Sequence, residues 1–384
     1  MSRFASGRVD WLGCLFLTLA LAGCGKFFPP QTNNGGGGGG GGGGSTSGDY
    51  LYVGNLGTNP LSVAGFTIAS GAMSVTAGSA WAMAVEPTAL AVTPNDAYLY
   101  VGSAAGGIYV YLIGSNGSIS VGNNGAPVAS GVQPAVLRVD ATGNWLIGAD
   151  AFSGQAYVFQ IGVGGILTAI STSVVTLNAS YPATDLEITP GNNYLYVSSG
   201  VAGIYTLGFN PSNGALAQLY GVLSPKLNGG ADYGMAISPS GKFLFVAETG
   251  VGGVRIFSIS SSGAISETSA SPVKTAAGAY SVLIDSTGSY VYVANRAQGT
   301  ISGFLLSNSG TLTPISGSPF AAGILPVAMV EDNTGNYLAV VNSGGNPDLQ
   351  VFSISSTTPG ALVGFQTANT GTDPTVASAI AATH

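Results

Sequence analysis

The sequence predicts an all-β protein: a seven-bladed β-propeller with four antiparallel strands in each blade, in which the C-terminal strand closes the first blade. Three observations predict this fold. An aromatic phrase recurs seven times at an almost constant interval, turn residues divide each interval into four short apolar segments, and the two ends of the chain each supply part of one unit. Repeats of this length are typical of radial or stacked folds, and four-stranded antiparallel units are typical of propeller blades.

The recurring phrase begins as Tyr50-Leu-Tyr-Val and keeps an aromatic residue at its first position. The seven leading aromatics are Tyr50, Tyr98, Trp145, Tyr194, Phe243, Tyr290 and Tyr337. The intervals between them are 48, 47, 49, 49, 47 and 47 residues. Each phrase is predicted to be a strand, because aromatic and β-branched residues favour strands and no stretch keeps a helical period. The aromatic side chains are predicted to hold neighbouring blades together.

The fifth and sixth units show the four predicted strands most clearly. Residues 237–265 and 285–312 each contain the end of a strand, a Ser-Pro-Ser-Gly or Asp-Ser-Thr-Gly turn, the aromatic phrase, an apolar stretch and a last strand after a Ser-Gly turn. We name these strands A, B, C and D in chain order. Asp, Ser and Thr bond to their own backbone in tight turns and Gly supplies positive φ, so the turns predict antiparallel hairpins.

The two ends of the repeat region predict how the ring closes. No strand A precedes Tyr50, because a run of glycines stands there instead. The C-terminal segment Pro374-Thr-Val-Ala-Ser-Ala-Ile380 matches the strand A segments 134–140 and 326–332. The C-terminal strand is therefore predicted to complete the blade that begins at Tyr50, which removes the open edges of the ring.

The first 47 residues are interpreted as an export signal followed by a tether. Residues 1–23 combine a basic start, a short apolar stretch and small residues before Cys24, the pattern of a bacterial lipoprotein signal peptide. The apolar stretch is too short for a membrane span, which needs roughly 20 residues. Residues 24–47 contain ten consecutive glycines and predict a flexible tether that starts at a lipidated Cys24. An ordinary signal peptide with a chance cysteine is the alternative.

These features predict a propeller formed by residues 48–384 and exported from the cytoplasm. The protein is expected to be lipid-anchored to a bacterial membrane through Cys24, on the periplasmic face or at the cell surface. Cys14 would leave with the signal peptide and Cys24 would carry lipid, so no disulfide and no cysteine metal site is predicted. The propeller is predicted to be a monomer.

The low charge of the chain argues against a nucleic-acid binder. Only 7% of the residues are charged, against roughly 25% in an ordinary globular protein. From Gly48 onward six basic residues stand against fifteen acidic ones, a net charge of −9, whereas a nucleic-acid-binding domain needs a basic patch. No cofactor is predicted, and the sequence lacks the clustered His, Cys and carboxylates that would predict a metal site.

The strand order predicts two different faces of the ring. The B-to-C loops and the D-to-A crossings form one face, which we call the crossing face, and the A-to-B and C-to-D hairpins form the opposite hairpin face. Strand B ends on the crossing face at a polar residue in every unit: Asn55, Ser103, Asp150, Ser199, Glu248, Asn295 and Asn342. Such residues usually cap turns, but Asp150, Glu248, Asn295 and the adjacent Arg296 are the candidate binding residues.

Strand A is predicted to line the central channel with small and apolar residues. The exceptions are Arg138, Asp185, Glu187 and Glu331, which are the candidates for a catalytic role. Arg138 and Glu187 occupy equivalent positions in adjacent units, so an ion pair across the blade interface is expected. Buried charges often mark functional sites, but structural ion pairs give the same pattern.

The fifth and sixth units resemble the seven-bladed propellers of the lactonase family. The phrases that carry the resemblance are Ala294-Asn-Arg296, Ile301-Ser-Gly-Phe304 and Ile315-Ser-Gly-Ser-Pro-Phe320, and it extends from Tyr50 to the end of the chain. The units are also loosely similar to Tyr-Val-Thr-Asn-type surface repeats. Members of the lactonase family include a sugar-phosphate lactonase and a muconate cyclising enzyme, so the resemblance implies a 6-phosphogluconolactonase-like fold.

Two functions are compatible with the sequence, so whether the chain is an enzyme stays open. The first is a lipid-anchored extracytoplasmic module that binds a protein, glycan or small molecule at a propeller face. The second, implied by the resemblance, is a lactonase-like carboxylic ester hydrolase at the central channel, with Glu187, Asp185 or Glu331 as base and Arg138 holding a carboxylate. The chain's one histidine, His384, is its last residue, and no Gly-x-Ser-x-Gly motif with a matching His is present, which favours the binding module.

Overall fold

The computed structural model describes most of the repeat region. The described residues are 49–56, 61–69, 71–178, 180–226, 230–250, 252–345, 347–371 and 376–384. The predicted signal peptide, the lipidated Cys24 and the tether lie outside the described residues. Within the described ranges, no helix combines the length and the apolar character that a membrane crossing requires.

Blades 1 to 3 are antiparallel sheets. Blade 1 contains β1 (Tyr50–Leu56), β2 (Ser62–Ala69), β3 (Ala72–Val75), β4 (Trp81–Ala82) and β31 (Val376–Ala382). Blade 2 contains β5 (Pro87–Val92), β6 (Tyr98–Ser103), β7 (Ile108–Ile113) and β8 (Ile119–Val121). Blade 3 contains β9 (Pro134–Val139), β10 (Trp145–Asp150), β11 (Gln155–Ile161) and β12 (Leu167–Thr176). Two short 3-10 turns, Asn123–Gly125 and Val163–Gly165, connect strands here.

Blades 4 to 7 repeat the same arrangement. Blade 4 contains β13 (Asp185–Ile188), β14 (Tyr194–Ser198), β15 (Ile204–Asn210) and β16 (Ala215–Gln218). Blade 5 contains β17 (Asp232–Ile237), β18 (Phe243–Glu248), β19 (Gly253–Ile259), β20 (Ile265–Glu267) and β21 (Val273–Lys274). Blade 6 contains β22 (Ala279–Ile284), β23 (Tyr290–Asn295), β24 (Thr300–Leu306), β25 (Leu312–Pro314) and β26 (Phe320–Ala321). Blade 7 contains β27 (Pro326–Glu331), β28 (Tyr337–Asn342), β29 (Leu349–Ile354) and β30 (Leu362–Ala368).

The seven strands A lie innermost and pack against one another in a closed ring. Their order around the channel is β31, β5, β9, β13, β17, β22 and β27, and β27 returns to β31. Strand β31 pairs antiparallel with β1, and the Thr383 amide donates to the Tyr50 carbonyl at 2.9 Å. The prediction of a seven-bladed propeller whose C-terminal strand closes the first blade is therefore confirmed.

The aromatic phrases connect neighbouring blades, as the sequence predicts. In four blades the second tyrosine of the phrase donates its hydroxyl hydrogen to a glycine carbonyl in the C-to-D turn of the next blade. The four pairs are Tyr52 to Gly117 at 2.8 Å, Tyr100 to Gly165 at 3.0 Å, Tyr196 to Gly263 at 2.8 Å and Tyr292 to Gly360 at 2.8 Å. At Gly117 the backbone φ is +75° and an added Cβ would lie 2.2 Å from the Tyr50 ring, so this turn requires glycine.

Candidate functional site at the mouth of the channel

The predicted polar ring at the ends of the B strands is buried beneath the crossing-face loops. All seven of its side chains are at most 3% exposed. The Asp150 carboxylate accepts hydrogen bonds from the backbone amides of Gln133 at 2.6 Å, Phe152 at 2.8 Å and Ser153 at 2.8 Å. The Asn295 amide contacts the Ser302 hydroxyl at 2.9 Å. These contacts order the surrounding loops, and a direct role in ligand binding stays a prediction.

Glu248, the third candidate binding residue, belongs to a buried charge cluster in blade 5. Arg255, on strand β19, is 2% exposed. Its guanidinium lies 3.3 Å from Asp232, 3.5 Å from Glu248 and 3.4 Å from Glu267. Burial raises the pKa of Asp232 to about 7, although Arg255 opposes that rise. Sequence reasoning missed this cluster, and its only signal was a single arginine within the apolar strand C of blade 5.

Three of the four catalytic candidates meet inside the channel. Arg138 Nη2 lies 2.8 Å from Asp185 Oδ1 and 2.9 Å from Glu187 Oε1, so the predicted ion pair between adjacent blades is present. Asp185 also accepts the backbone amides of Met235 and Leu186, each at 2.8 Å. Burial raises the pKa of Asp185 to about 6 and that of Glu187 to about 8, while Arg138 limits both increases. All three side chains are buried, and the Arg138 guanidinium contacts both carboxyl groups.

The fourth candidate, Glu331, lies apart from this ion pair. It is the last residue of β27 and pairs with Leu338, near the start of strand B, whereas Asp185 pairs with Ser198, at the other end of a strand B. Glu331 therefore lies toward the hairpin face, where its carboxylate accepts the Ser286 amide at 2.6 Å. Burial raises the pKa of Glu331 to about 8. The four catalytic candidates consequently do not form one site.

A cavity of about 280 Å³ opens at the crossing-face mouth of the channel. Its walls come from the starts of strands A and from the loops that follow strands B. The lining residues are Leu56, Glu86, Thr88, Ala104, Phe152, Tyr280, Arg296, Val327, Ser343, Ala377 and Ser378. Small-molecule sites are typically concave and mostly apolar with a few polar groups, and this lining has that character.

Arg296, the fourth candidate binding residue, lines this cavity. Its guanidinium carbon lies 5.3 Å from the centre of the Tyr280 ring, a cation–π contact. The Tyr280 ring in turn packs on Tyr233 at 4.7 Å, and burial raises the pKa of Tyr280. Among the described residues, the buried Nε of Arg296 has no hydrogen-bond acceptor. The stacked tyrosine thus supports the guanidinium of Arg296 beside the cavity.

Glu86 supplies the second charge of the cavity and was missed by sequence reasoning. It stands on the crossing between β4 and β5, just before Pro87, and it is partly exposed. Because Glu86 lies outside the strands, the repeat of the aromatic phrase does not mark its position. The described residues contain no group of three or more His, Cys, Asp or Glu side chains that could hold a metal ion.

The fold and the cavity define a propeller with a ligand-sized opening at the mouth of its channel. The family model described as "Lactonase, 7-bladed beta-propeller" matches residues 50–187 and 267–377, more than half of the chain. The chain therefore belongs to this family of seven-bladed propellers, in agreement with the resemblance found in the sequence. No curated protein matches the chain.

Several solved structures are similar to this chain in fold. The periplasmic gluconolactonase PpgL of Pseudomonas aeruginosa has a TM-score of 0.70 and 15% identity, with 88% of this chain and 99% of that chain covered. A protein of Lactobacillus plantarum has a TM-score of 0.69 and 20% identity, covering 88% and 100%. A candidate 6-phosphogluconolactonase of Bacteroides fragilis NCTC 9343 has a TM-score of 0.71 and 18% identity, covering 88% and 99%. At these identities the likeness extends to the fold.

Proposed function

We propose that the propeller is a binding module that takes up a small ligand with an anionic group in the crossing-face cavity. The observation that carries this proposal is Arg296, which lines the cavity with its guanidinium on the Tyr280 ring and makes no side-chain hydrogen bond to another described residue. An arginine supported by an aromatic ring is a suitable partner for a carboxylate, because its donors are fixed in one plane. The apolar residues around it would exclude water and strengthen that contact.

Binding of carboxylates to the purified full-length chain tests this function. Calorimetry with D-gluconate and with hexanoate is expected to give saturable binding that weakens by about 10-fold or more in Arg296→Gln, since a charge-assisted pair is lost. Lys274→Gln is the matched control, because it removes an exposed positive charge that does not line the cavity. Equal affinities in wild type and Arg296→Gln would refute the proposal.

Lactone hydrolysis is the second candidate function, favoured by the family match together with Glu86 in the same cavity as Arg296. Glu86 would take a proton from water as the water oxygen attacks the lactone carbonyl. The ring C–O bond would then break, and the leaving alkoxide would take that proton from Glu86 to give a hydroxy acid and restore the carboxylate. Arg296 would stabilise the negative carbonyl oxygen of the tetrahedral intermediate.

Proton release from D-glucono-δ-lactone measures this reaction. Turnover lost in Glu86→Gln would support hydrolysis at the cavity. Turnover that survives in Glu86→Gln but disappears in Glu187→Gln or Arg138→Ala would assign the chemistry to the channel charges instead. A chain that binds carboxylates and leaves the lactone untouched would support the binding module alone.

We further propose that the chain is exported and held at a bacterial membrane by a lipid on Cys24. The support is the sequence pattern of residues 1–23 and the glycine-rich segment that follows. Membrane fractionation of cells that express the wild type or Cys24→Ser tests this. The wild type is expected in the membrane fraction, and a Cys24→Ser variant that stays there in equal amount would contradict lipid anchoring.

A further inference from the structure

The cavity carries two charges of opposite sign on different blades. Arg296 follows β23 of blade 6, and Glu86 stands on the crossing from blade 1 to blade 2, so the charges approach the cavity from different sides. Among the residues that the structure describes, neither side chain makes a hydrogen bond or an ion pair. Two opposite charges that line one small cavity without pairing are poised to pair with a ligand.

The hydroxyl groups of the cavity wall add to the same pattern. Thr88 donates to the Pro134 carbonyl at 2.7 Å, Ser343 to the Leu325 carbonyl at 3.2 Å and Ser378 to the Gly54 carbonyl at 3.1 Å. Each hydroxyl has one hydrogen to donate and two lone pairs. With those hydrogens used, the three hydroxyls can only accept hydrogen bonds from a ligand.

This distribution disfavours ligands that carry only negative charge. A carboxylate can pair with Arg296, but a second anionic group would meet the Glu86 carboxylate and three hydroxyl oxygens. Like charges brought together at a binding site lower affinity strongly. A phosphate ester, with its larger negative charge, is disfavoured most, whereas an ammonium group would find acceptors on the opposite wall.

We propose that the cavity binds a zwitterion, with the ligand's carboxylate at Arg296 and its ammonium group at Glu86. This inference rests on the proposed binding function and adds the chemical class of the ligand, a molecule of zero net charge such as an amino acid. The charges of ligand and cavity then match one for one, and the ammonium hydrogens can also reach the hydroxyl oxygens. The cavity, with a volume of about 280 Å³, has room for a small molecule of this kind.

A series of ω-amino acids tests the inference on the purified full-length chain. The probes are 4-aminobutyrate, 6-aminohexanoate and 8-aminooctanoate, which separate the two charges by increasing lengths. Hexanoate is the matched probe with the anion alone, and 6-amino-1-hexanol is the matched probe with the cation alone. Calorimetry is expected to show one preferred length that binds about 10-fold or more tightly than either single-charge probe, because both pairs form only with the zwitterion.

Two variants separate failure of this inference from failure of the binding function. Glu86→Gln is expected to remove the preference for the zwitterion and to leave hexanoate binding equal or stronger, whereas Arg296→Gln is expected to weaken both. If hexanoate binds the wild type as tightly as every zwitterion, the zwitterion inference is wrong while carboxylate binding stands. If no probe binds, or if Arg296→Gln leaves every affinity unchanged, both proposals are wrong.

Discussion

At the scale of single residues, the tyrosine hydroxyls link the blades more specifically than apolar packing alone would. Tyr196 is fully buried, and its hydroxyl donates to the Gly263 carbonyl in the next blade. The carbonyl accepts this bond in the dry interface between two sheets, where an unpaired polar group is costly. The repeated phrase therefore sets the orientation of neighbouring blades as well as filling the space between them.

Tyr196→Phe is expected to lower the free energy of unfolding by about 1–3 kcal/mol, because it leaves the Gly263 carbonyl without its donor. Urea titration followed by tryptophan fluorescence measures the change. Tyr98→Phe is the matched control, since the Tyr98 hydroxyl makes no hydrogen bond among the described residues. Equal losses in the two variants would show that the interblade hydrogen bond contributes little.

The buried carboxyl groups predict how stability depends on pH. Burial raises the pKa of Glu187 from 4.5 to about 8, so the folded state keeps a proton that the unfolded state has released. Stability is then fully present below the unfolded pKa and is lost as pH rises through the folded one. We expect the free energy of unfolding to fall from about pH 5 to about pH 9, and to fall less steeply in Glu187→Gln. Identical slopes in urea titrations across this range would contradict the expectation.

At the scale of strands and loops, the sequence predicts the four strands of each blade because period, turn residues and apolar pattern agree. It does not predict the short strands β4, β21 and β26, which are two-residue pairings on strand C that follow from the path of the crossing loop. Arg296 and Asp150 were found because the repeat marks the ends of the B strands. Glu86 and Phe152 could not be found this way, because only the closed ring brings their loops together.

Asp150 is expected to act on the cavity by holding a loop. Its carboxylate accepts the amides of Phe152 and Ser153, and Phe152 lines the cavity. Asp150→Ala is expected to lower the free energy of unfolding by about 2–3 kcal/mol and to weaken ligand binding, because hydrogen bonds to a charged group are lost. Asp150→Asn should recover part of the unfolding free energy and part of the ligand affinity. Urea titration measures the first, and calorimetry with the ω-amino acids measures the second. A loss of binding without any loss of stability would instead favour direct contact with the ligand.

At the scale of the whole molecule, the ring depends on a strand that is remote in sequence. Strand β31 is the innermost strand of blade 1, while the other strands of that blade come from the start of the propeller. It contacts β5 and β27, the inner strands on both sides. The two halves of blade 1 therefore fasten the first and last blades to each other and protect their strand edges.

A chain that ends at residue 375 is expected to lose its cooperative unfolding transition and to aggregate. Without β31, the edge of β1 is unpaired and the faces of β5 and β27 lose the strand that packs against them. Moving residues 376–384 to a position before Asp49, followed by two added turn residues, should restore folding. The Thr383 amide already contacts the Tyr50 carbonyl, and four residues separate the equivalent Thr93 and Tyr98 in blade 2. Calorimetry and size-exclusion chromatography of both variants check this. A truncated chain that melts like the wild type would contradict the role of β31 in closure.

The direction of β1 also determines the face at which the chain enters the propeller. Strand B runs from the hairpin face to the crossing face, so the chain enters the propeller at Asp49 on the hairpin face, and the cavity opens on the opposite side. A tether that joined the propeller through the residues before Asp49 would therefore be attached on the face opposite the cavity. Its attachment would leave the cavity open to solutes from the surrounding medium.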